Sequence, residues 1–321
     1  MGGELYTALP RSLKAEPHNL VLIKLPKAAS STSATLVERI AHNAGLTKWQ
    51  PNTRAWNESE PGYWVSHDKM EVVAPRLLGL SMPSLLIASV REPIALAMSF
   101  HYAGCFHQAR RITGKSSSVP AALFARYEQI VRQDTTEDKV RYLSTRRNYQ
   151  YEYLRGRRGQ NVESVLRQYD LVIVAEAMDK SAVLLSGWLG VRLTNVMYQS
   201  SKLMWHPSVA QEPEPVRNYL AREFSANNTL DIALHRLARA SLESHFAALP
   251  NSLQKLRAFQ QLQDAAHVLC PNVSSLDATA TVVVATMNHN YCDRPGCHPC
   301  YSGDSGCNFR CHNIIAAQIC D

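Results

Sequence analysis

Residues 19–45 read NLVLIKLPKAASSTSATLVERIAHNAG, and this stretch decides the fold. Its apolar run from Leu20 to Leu25 is too short for an independent helix and is typical of a buried parallel strand. A loop of small residues follows, and then Leu36, Val37 and Ile40 recur at helical spacing. The order of strand, short loop and helix predicts a βα unit whose helix begins at the loop.

The loop has the composition of an anion-binding site. Lys27 supplies a positive charge, and Ser30, Ser31 and Thr32 supply hydroxyl donors at the predicted start of the helix. Backbone N–H groups at a helix N-terminus point outward, and the helix dipole favours an anion there. The Walker loop is absent, because no glycine lies between Leu20 and Asn43. The alternative interpretation is an ordinary strand–helix turn in which Ser and Thr cap the helix.

Two further apolar runs predict strands that each lead into a helix. Ser84 to Val90 is followed by Arg91-Glu92-Pro93, and Pro93 suits the first turn of a helix. Tyr169 to Glu176 is followed by a helical pattern. Residues 47–66 are rich in Trp, Pro, Asn and Gly and are expected to form a surface loop. Strands that alternate with helices predict an α/β fold with a mostly parallel sheet.

The rest of the chain is predicted to be largely helical. Helices are expected at 70–79, 120–133, 136–154, 216–224, 229–248 and 251–267, and a basic loop at 107–119. We divide the chain into a polar lead-in at 1–18, one α/β domain at 19–267 and a Cys-rich extension at 268–321 that packs on the domain.

The composition indicates a globular protein with an anionic ligand. The chain has 321 residues, 45% hydrophobic, with a net charge of +7 and a pI near 9.0. Summed positive charge attracts anions. The densest basic run, Arg141 to Arg158, alternates Arg with Tyr, so an RNA-binding patch is one interpretation. We favour a solvated helical face and expect no nucleic-acid partner.

The cysteines indicate an oxidising compartment. Seven of the eight lie between Cys270 and Cys320, and three Asn-x-Ser/Thr sequons begin at Asn57, Asn227 and Asn272. An even, clustered set with sequons favours disulfides in the secretory pathway. Zinc bound by the tail, with Cys297-x2-Cys300 as a half-site, is the alternative. No stretch reaches the ~18 apolar residues of a membrane span, so either the protein is cytosolic or it has an anchor outside this chain; the cysteines favour the second alternative.

Several motifs together resemble a known enzyme family. Lys27-x-x-Ser-Ser-Thr after a strand is similar to the 5′-phosphosulfate loop of sulfotransferases that use 3′-phosphoadenosine 5′-phosphosulfate. Arg91 at a strand end, with Ser99 eight residues later and about two helical turns away, resembles their 3′-phosphate site. The stretches 169–185 and 228–235 add two matches. In patches over about residues 19–270, the chain resembles the galactose-3-O-sulfotransferase and galactosylceramide sulfotransferase family.

The resemblance implies a P-loop-like α/β fold and a Golgi-lumenal, type II membrane enzyme. It implies 3′-phosphoadenosine 5′-phosphosulfate as co-substrate, a hydroxyl of a galactose-containing glycan or glycolipid as acceptor, and no metal. Membrane contact is expected only through an N-terminal anchor outside this chain. The implied donor-binding residues are Lys27, Ala28, Ala29, Ser30, Ser31, Thr32, Arg91 and Ser99.

The sequence departs from the family at the first loop. The family's Thr-His-Lys is replaced here by Leu25-Pro26-Lys27, so the first-loop histidine is missing. His67 occupies the place of a second family histidine and is the candidate catalytic base, with Lys27 as the charge that stabilises the leaving phosphate. The alternative is that His67 is a surface histidine beside Asp68. A kinase of P-loop type and a non-catalytic, Cys-rich extracellular binding protein are the competing functions.

Overall fold

A five-stranded parallel sheet forms the centre of the part of the chain that the structure describes. The computed structural model describes residues 19–49, 61–78, 80, 82–113, 120–198 and 206–269. The strands are β1 (Asn19–Ile23), β2 (Thr47–Lys48), β3 (Gly62–Ser66), β4 (Ser84–Val90) and β5 (Leu171–Val174). Their order is β2-β3-β1-β4-β5, and every neighbouring pair is parallel. The predicted α/β class and parallel sheet are confirmed.

The central strands are apolar throughout because both faces of the sheet are covered. All residues of β1 and β5 are buried, and so are all those of β4 except Ser84. A parallel sheet with helices on both faces has this continuous hydrophobic pattern. For the same reason, the apolar runs beginning at Leu20, Ser84 and Tyr169 could be assigned to strands from sequence.

Helices surround the sheet. They are α1 (Ser30–Asn43), α2 (Met70–Leu77), α3 (Pro93–Thr113), α4 (Pro120–Gln133), α5 (Thr136–Ser144), α6 (Tyr149–Leu154), α7 (Val162–Arg167), α8 (Met178–Leu189), α9 (Glu214–Tyr219), α10 (Ser225–Asn227), α11 (Thr229–Ala248) and α12 (Ser252–Leu269). A π-helical turn at Leu220–Phe224 joins α9 to α10. None of the helices in the described ranges has the length and apolar character needed to cross a membrane.

The buried apolar residues form two clusters. The larger cluster joins the sheet to helices that include α1, α8 and α11. The smaller cluster lies between α3, α4 and α9 and includes Tyr102, Tyr127 and Phe224. The part of the molecule around α3 and α4 therefore has its own small core beside the sheet.

The prediction of a surface loop at 47–66 was wrong for part of this range. It contains β2 and the inner strand β3, in which Gly62, Trp64 and Ser66 are buried. Trp64 is only 2% exposed, and its ring meets that of Trp49 edge-on at 4.5 Å. Trp64 therefore belongs to the core and not to a surface loop. Residues 50–60 lie outside the described residues.

Two helix boundaries also differ from the prediction. Helix α3 continues to Thr113, although 107–119 was predicted as a loop; residues 114–119 lie outside the described residues. The single helix predicted at 136–154 is two helices, α5 and α6. Residues 145–148 separate them, and Asn148, the N-cap of α6, has a left-handed φ of 45° that no helix interior adopts. The lead-in 1–18 and the Cys-rich residues 270–321 lie outside the described residues.

The strand order creates a switch point between β1 and β4. The chain builds β2 and β3 on one side of β1, and then crosses to build β4 and β5 on the other side. In open α/β sheets, ligands bind beyond the carboxyl ends of the strands at such a point. The loops that follow β1 and β4 contain Lys27 and Arg91, so both predicted phosphate-binding loops leave the sheet there.

Candidate functional site

The loop between β1 and α1 has an unusual backbone. Lys27 has a φ of 66° and Ala29 a φ of 53°, whereas the buried Ala28 between them is not left-handed. The other two non-glycine residues with positive φ in the described ranges are both asparagines, which tolerate this region better. A left-handed backbone at other residues costs roughly 1–3 kcal/mol each and is concentrated at functional sites. Alternating signs of φ also form concave anion-binding nests.

The start of α1 is open to a ligand. The N-cap residue is Ala29, which has no capping side chain, and the first turn contains no acidic residue. The N–H groups of residues 30–32 make no hydrogen bond with any other described residue. The interpretation of Ser30, Ser31 and Thr32 as residues that cap the helix is therefore wrong, because the N-cap is Ala29. These N–H groups and the helix dipole suit an anion.

Arg91 joins the loop after β4 to the loop after β1. Its guanidinium nitrogen Nη1 donates to the carbonyl oxygen of Lys27 at 3.1 Å. Burial lowers the pKa of Arg91, while the carboxylates of Glu176 and Glu92 act in the opposite direction. An arginine remains charged at neutral pH even after such a shift. The two predicted phosphate loops therefore lie side by side, and Arg91 connects them.

The main chain of Arg91 and Glu92 is held by two side-chain acceptors, one on the buried Gln150 and one on the exposed Glu176. The N–H of Arg91 donates to Oε1 of Gln150 at 2.9 Å, and Nε2 of Gln150 donates to the carbonyl of Arg91 at 2.8 Å. The N–H of Glu92 donates to Oε1 of Glu176 at 2.9 Å. Gln150 is fully buried. These contacts fix the direction in which the Arg91 side chain leaves the sheet.

Helix α3 begins directly after this segment. The carboxylate of Glu92 accepts hydrogen bonds from the N–H groups of Ile94 and Ala95 at 3.1 and 2.6 Å, so Glu92 caps the helix. Ser99 lies further along α3 and is half-buried, and its hydroxyl makes no hydrogen bond with another described residue. The structure places Arg91 and Ser99 near the same end of α3, and no hydrogen bond joins them.

Polar residues at the start of α11, including its N-cap Asn228, support the site from behind. Asn228 and Asp231 are both buried. Oδ1 of Asn228 accepts from the N–H of Asn148 at 2.7 Å, and the carboxylate of Asp231 accepts from the N–H groups of Gln150 and Tyr151 at 3.1 and 2.8 Å. Burial raises the pKa of Asp231 to about 6, although these backbone hydrogen bonds favour its charged form. Asp231 thereby positions Gln150, which in turn holds Arg91.

A further residue of α11, His235, orders Glu176. His235 Nε2 lies 3.1 Å from Oε2 of Glu176, while Oε1 of Glu176 accepts from Glu92. Burial alone would raise the pKa of Glu176, but the hydrogen bonds from His235 and Glu92 lower it. Residues 228, 231 and 235 are three and four positions apart, which places them on one helix face. The motif at 228–235 is thus explained by its contacts.

His67 lies at the same edge of the sheet, on the other side of β1. It follows β3 and is exposed. The N–H of Lys24 donates to the carbonyl of Ser66 at 2.7 Å, which places this segment beside the β1–α1 loop. The hydroxyl of Tyr153 donates to the carbonyl of His67. The structure brings His67 to the edge that contains Lys27, and the catalytic role of His67 remains a prediction.

The sequence alone did not single out Gln150. It lies in the Tyr- and Arg-rich run that we interpreted as a solvated face, and no local pattern distinguishes it. Part of that run is packed against other residues: Arg146 lies over the rings of Phe100, Tyr142 and Tyr149, with 4.8 Å to the Phe100 centroid. The polar spacing at 228–235 was the only sequence feature that pointed towards these supporting contacts.

Comparisons with protein-family models, with curated proteins and with solved structures found no match to this chain. The family resemblance therefore depends on the sequence motifs alone.

Proposed function

We propose that this chain is a sulfotransferase that moves a sulfuryl group from 3′-phosphoadenosine 5′-phosphosulfate to an acceptor hydroxyl. The main supporting observation is the hydrogen bond from Arg91 to the carbonyl of Lys27. It joins two loops that are about 60 residues apart in sequence, and each loop has the residues that one phosphate group of this donor requires.

The loop after β1 would bind the 5′-phosphosulfate. Its left-handed backbone and the N–H groups of residues 30–32, which bond to no other described residue, would form a concave donor surface, while Lys27 supplies charge. The hydroxyls of Ser30, Ser31 and Thr32 add donors. Ala28 and Ala29 have small side chains that allow close approach of the ligand to the backbone.

The loop after β4 would bind the 3′-phosphate. Arginine is suited to this group because its planar guanidinium forms paired hydrogen bonds with phosphate oxygens. Ser99 would add a hydroxyl from α3. The main-chain contacts of Gln150 and Glu176 hold Arg91 before the ligand arrives, which lowers the entropic cost of binding.

The reaction needs a base and a positive charge. The acceptor oxygen forms a bond to sulfur, the bond from sulfur to the bridging phosphate oxygen breaks, and the acceptor proton passes to a base. We assign His67 as that base and Lys27 as the charge that stabilises the leaving phosphate. Pro26 stands where the family has its other histidine, so His67 is the remaining match. This chemistry requires no metal.

The cellular setting is proposed on the resemblance and the cysteine pattern. A galactose-containing glycan or glycolipid would be the acceptor, and the Golgi lumen the compartment. The enzyme would be anchored through a segment outside this chain. Disulfides would then stabilise the Cys-rich extension.

Binding of the desulfated product, 3′-phosphoadenosine 5′-phosphate, tests the proposal. At 100 times its dissociation constant, a ligand of the folded state adds ~2.7 kcal/mol to the free energy of unfolding. We expect a clear rise in melting temperature with this nucleotide and none with ATP–Mg²⁺. Stabilisation by ATP–Mg²⁺ alone would indicate a kinase, and no response to either nucleotide would indicate a protein without this site.

A comparison with adenosine 5′-monophosphate isolates the role of Arg91. This nucleotide lacks the 3′-phosphate, so Arg91→Ala should weaken binding of the bisphosphate by more than binding of the monophosphate, which loses only the support that Arg91 gives to the Lys27 carbonyl. Loss of a charged hydrogen bond costs ~1.5–3 kcal/mol, roughly a 10–100-fold loss of affinity. Arg132→Ala, at an exposed position of α4, is the control and should change neither affinity. Equal losses for both nucleotides would contradict the assignment.

A screen of candidate acceptors with donor that carries a labelled sulfuryl group identifies the acceptor. We expect transfer to galactose-terminated glycans or to galactosylceramide. A protein that binds the nucleotide but labels no member of a broad acceptor panel would be a binding protein and not a transferase.

A further inference from the structure

Three potential metal ligands converge on one point beside the sheet. His101 and Cys105 are four residues apart on α3, so their side chains lie on one helix face. Asp134 follows the last residue of α4. Nε2 of His101, Sγ of Cys105 and a carboxylate oxygen of Asp134 all lie within 4.8 Å of one another. All three are largely buried, and none belongs to the site at the carboxyl edge of the sheet.

The geometry excludes a nucleophilic triad. In such a triad one imidazole nitrogen faces the nucleophile and the other faces the carboxylate. Here Asp134 Oδ2 lies 2.5 Å, and Cys105 Sγ 4.0 Å, from the same nitrogen, Nε2 of His101. Three potential donor atoms within 4.8 Å of one another can instead be ligands of a single metal ion.

We propose that His101, Cys105 and Asp134 bind a divalent transition-metal ion of the zinc class, with water as the fourth ligand. Tetrahedral zinc bound by one nitrogen, one sulfur and one oxygen has bonds of ~2.0–2.3 Å, which places its ligand atoms about 3.3–3.8 Å apart. The distances of 2.5 and 4.0 Å bracket this range. Shifts of about 1 Å or less in each side chain would complete the geometry.

A cavity gives the site an entry path. It has a volume of about 640 Å³ and is lined by all three ligands together with Gly104, Gln108 and Tyr142, among others. A fourth ligand from solvent can therefore reach the ion. A set of three protein ligands plus a solvent position is the pattern of open zinc sites, whereas closed structural sites use four protein ligands.

The charges agree with a divalent cation. A cysteine binds a divalent metal as the thiolate, so binding of the ion would release the proton of the Cys105 thiol. A thiolate and a carboxylate together carry two negative charges, which a divalent ion neutralises.

The ion would tie α3 to the connection between α4 and α5. This role is independent of the proposed sulfuryl transfer, which uses no metal. Since α3 begins beside Arg91, the ion would restrict motion of the element that follows the predicted 3′-phosphate site.

Cobalt substitution tests the proposal on the full chain. Chelator-treated wild type, Cys105→Ser, Asp134→Asn and Gly104→Ala are titrated with Co²⁺ and followed by thiolate-to-cobalt charge-transfer absorption. Gly104 lines the same cavity with open space where a methyl group would lie, so Gly104→Ala is the matched control. The tail cysteines are identical in all four proteins, and differences between them therefore report on this site.

The wild type and Gly104→Ala should bind one more equivalent than Cys105→Ser. In Asp134→Asn, the affinity for this additional Co²⁺ ion should fall by more than the roughly 10–100-fold that loss of a residue outside the first coordination shell costs. Equal stoichiometry and spectra in all four proteins would overturn the proposal. If the ligand variants do not fold, anomalous diffraction from zinc-soaked wild-type crystals decides: a peak about 2.3 Å from the Cys105 sulfur supports the site, and none there refutes it.

Discussion

Replacing Gln150 by Met should destabilise the protein and disturb the main chain at Arg91. Methionine has a similar length and no branching, but it cannot form hydrogen bonds as an amide does. The substitution leaves both the N–H and the carbonyl of Arg91 without their partners at 2.9 and 2.8 Å. An unsatisfied buried polar group costs ~1–3 kcal/mol, so the pair should cost ~2–6 kcal/mol. This is a large part of the ~5–15 kcal/mol that stabilises a typical domain.

Urea denaturation measures this loss, followed by circular dichroism in wild type and variant. The control is Gln261→Met, the same substitution at an exposed position of α12, which should change the free energy of unfolding by no more than about 0.5 kcal/mol. If Gln150→Met also stays within about 0.5 kcal/mol of wild type, then Gln150 does not hold Arg91 as the structure indicates. A folded Gln150→Met protein should in addition bind 3′-phosphoadenosine 5′-phosphate more weakly.

Three further results are expected. Arg91→Ala should raise KM for the donor while kcat at saturating donor stays near wild type, because a contact remote from sulfur is nearly equal in ground and transition states; a fall in kcat with unchanged KM would contradict this role. His67→Ala should lower kcat by ~10²–10⁴ with little change in donor affinity, and the rise of rate with pH that a histidine base causes should disappear; wild-type turnover at every pH would place the base elsewhere. Because burial raises the pKa of Asp231 to about 6, the folded state binds this proton more tightly than the unfolded state, whose value is near ~3.9. Wild-type stability should therefore fall by up to ~3 kcal/mol between about pH 4 and pH 6. Asn does not titrate, so the stability of Asp231→Asn relative to wild type should rise by that amount from pH 4 to pH 6. Urea denaturation of both proteins at the two pH values measures this difference, and a difference that stays constant would refute the linkage.

Much of the sheet could be predicted because its strands are buried on both faces. The runs at β1, β4 and β5 are apolar at every position or nearly so, and short runs of this kind fit parallel strands. The inner strand β3 escaped prediction, since its Gly62-Tyr63-Trp64 start resembles the loop before it. The boundary between α5 and α6 was also missed, because it depends on the left-handed Asn148, whose side chain accepts from the first turn of α11.

The loops of the candidate site were visible in the sequence, but their meeting was not. Lys27 and Arg91 each follow a predicted strand, yet only the pairing of β1 with β4 places the two loops side by side. The hydrogen bond between them and the support from Gln150 depend on contacts across 64 and 59 residues. Local sequence has no information about such pairs.

The same limit applies to the His101, Cys105 and Asp134 cluster. The spacing of His101 and Cys105 on one helix face follows from sequence, because side chains four residues apart on a helix are neighbours. Asp134 joins them only because α4 packs against α3 and ends beside His101. Local patterns therefore determined the strands, the helices and the charged loops of this protein, whereas packing between distant segments decided which side chains share a site.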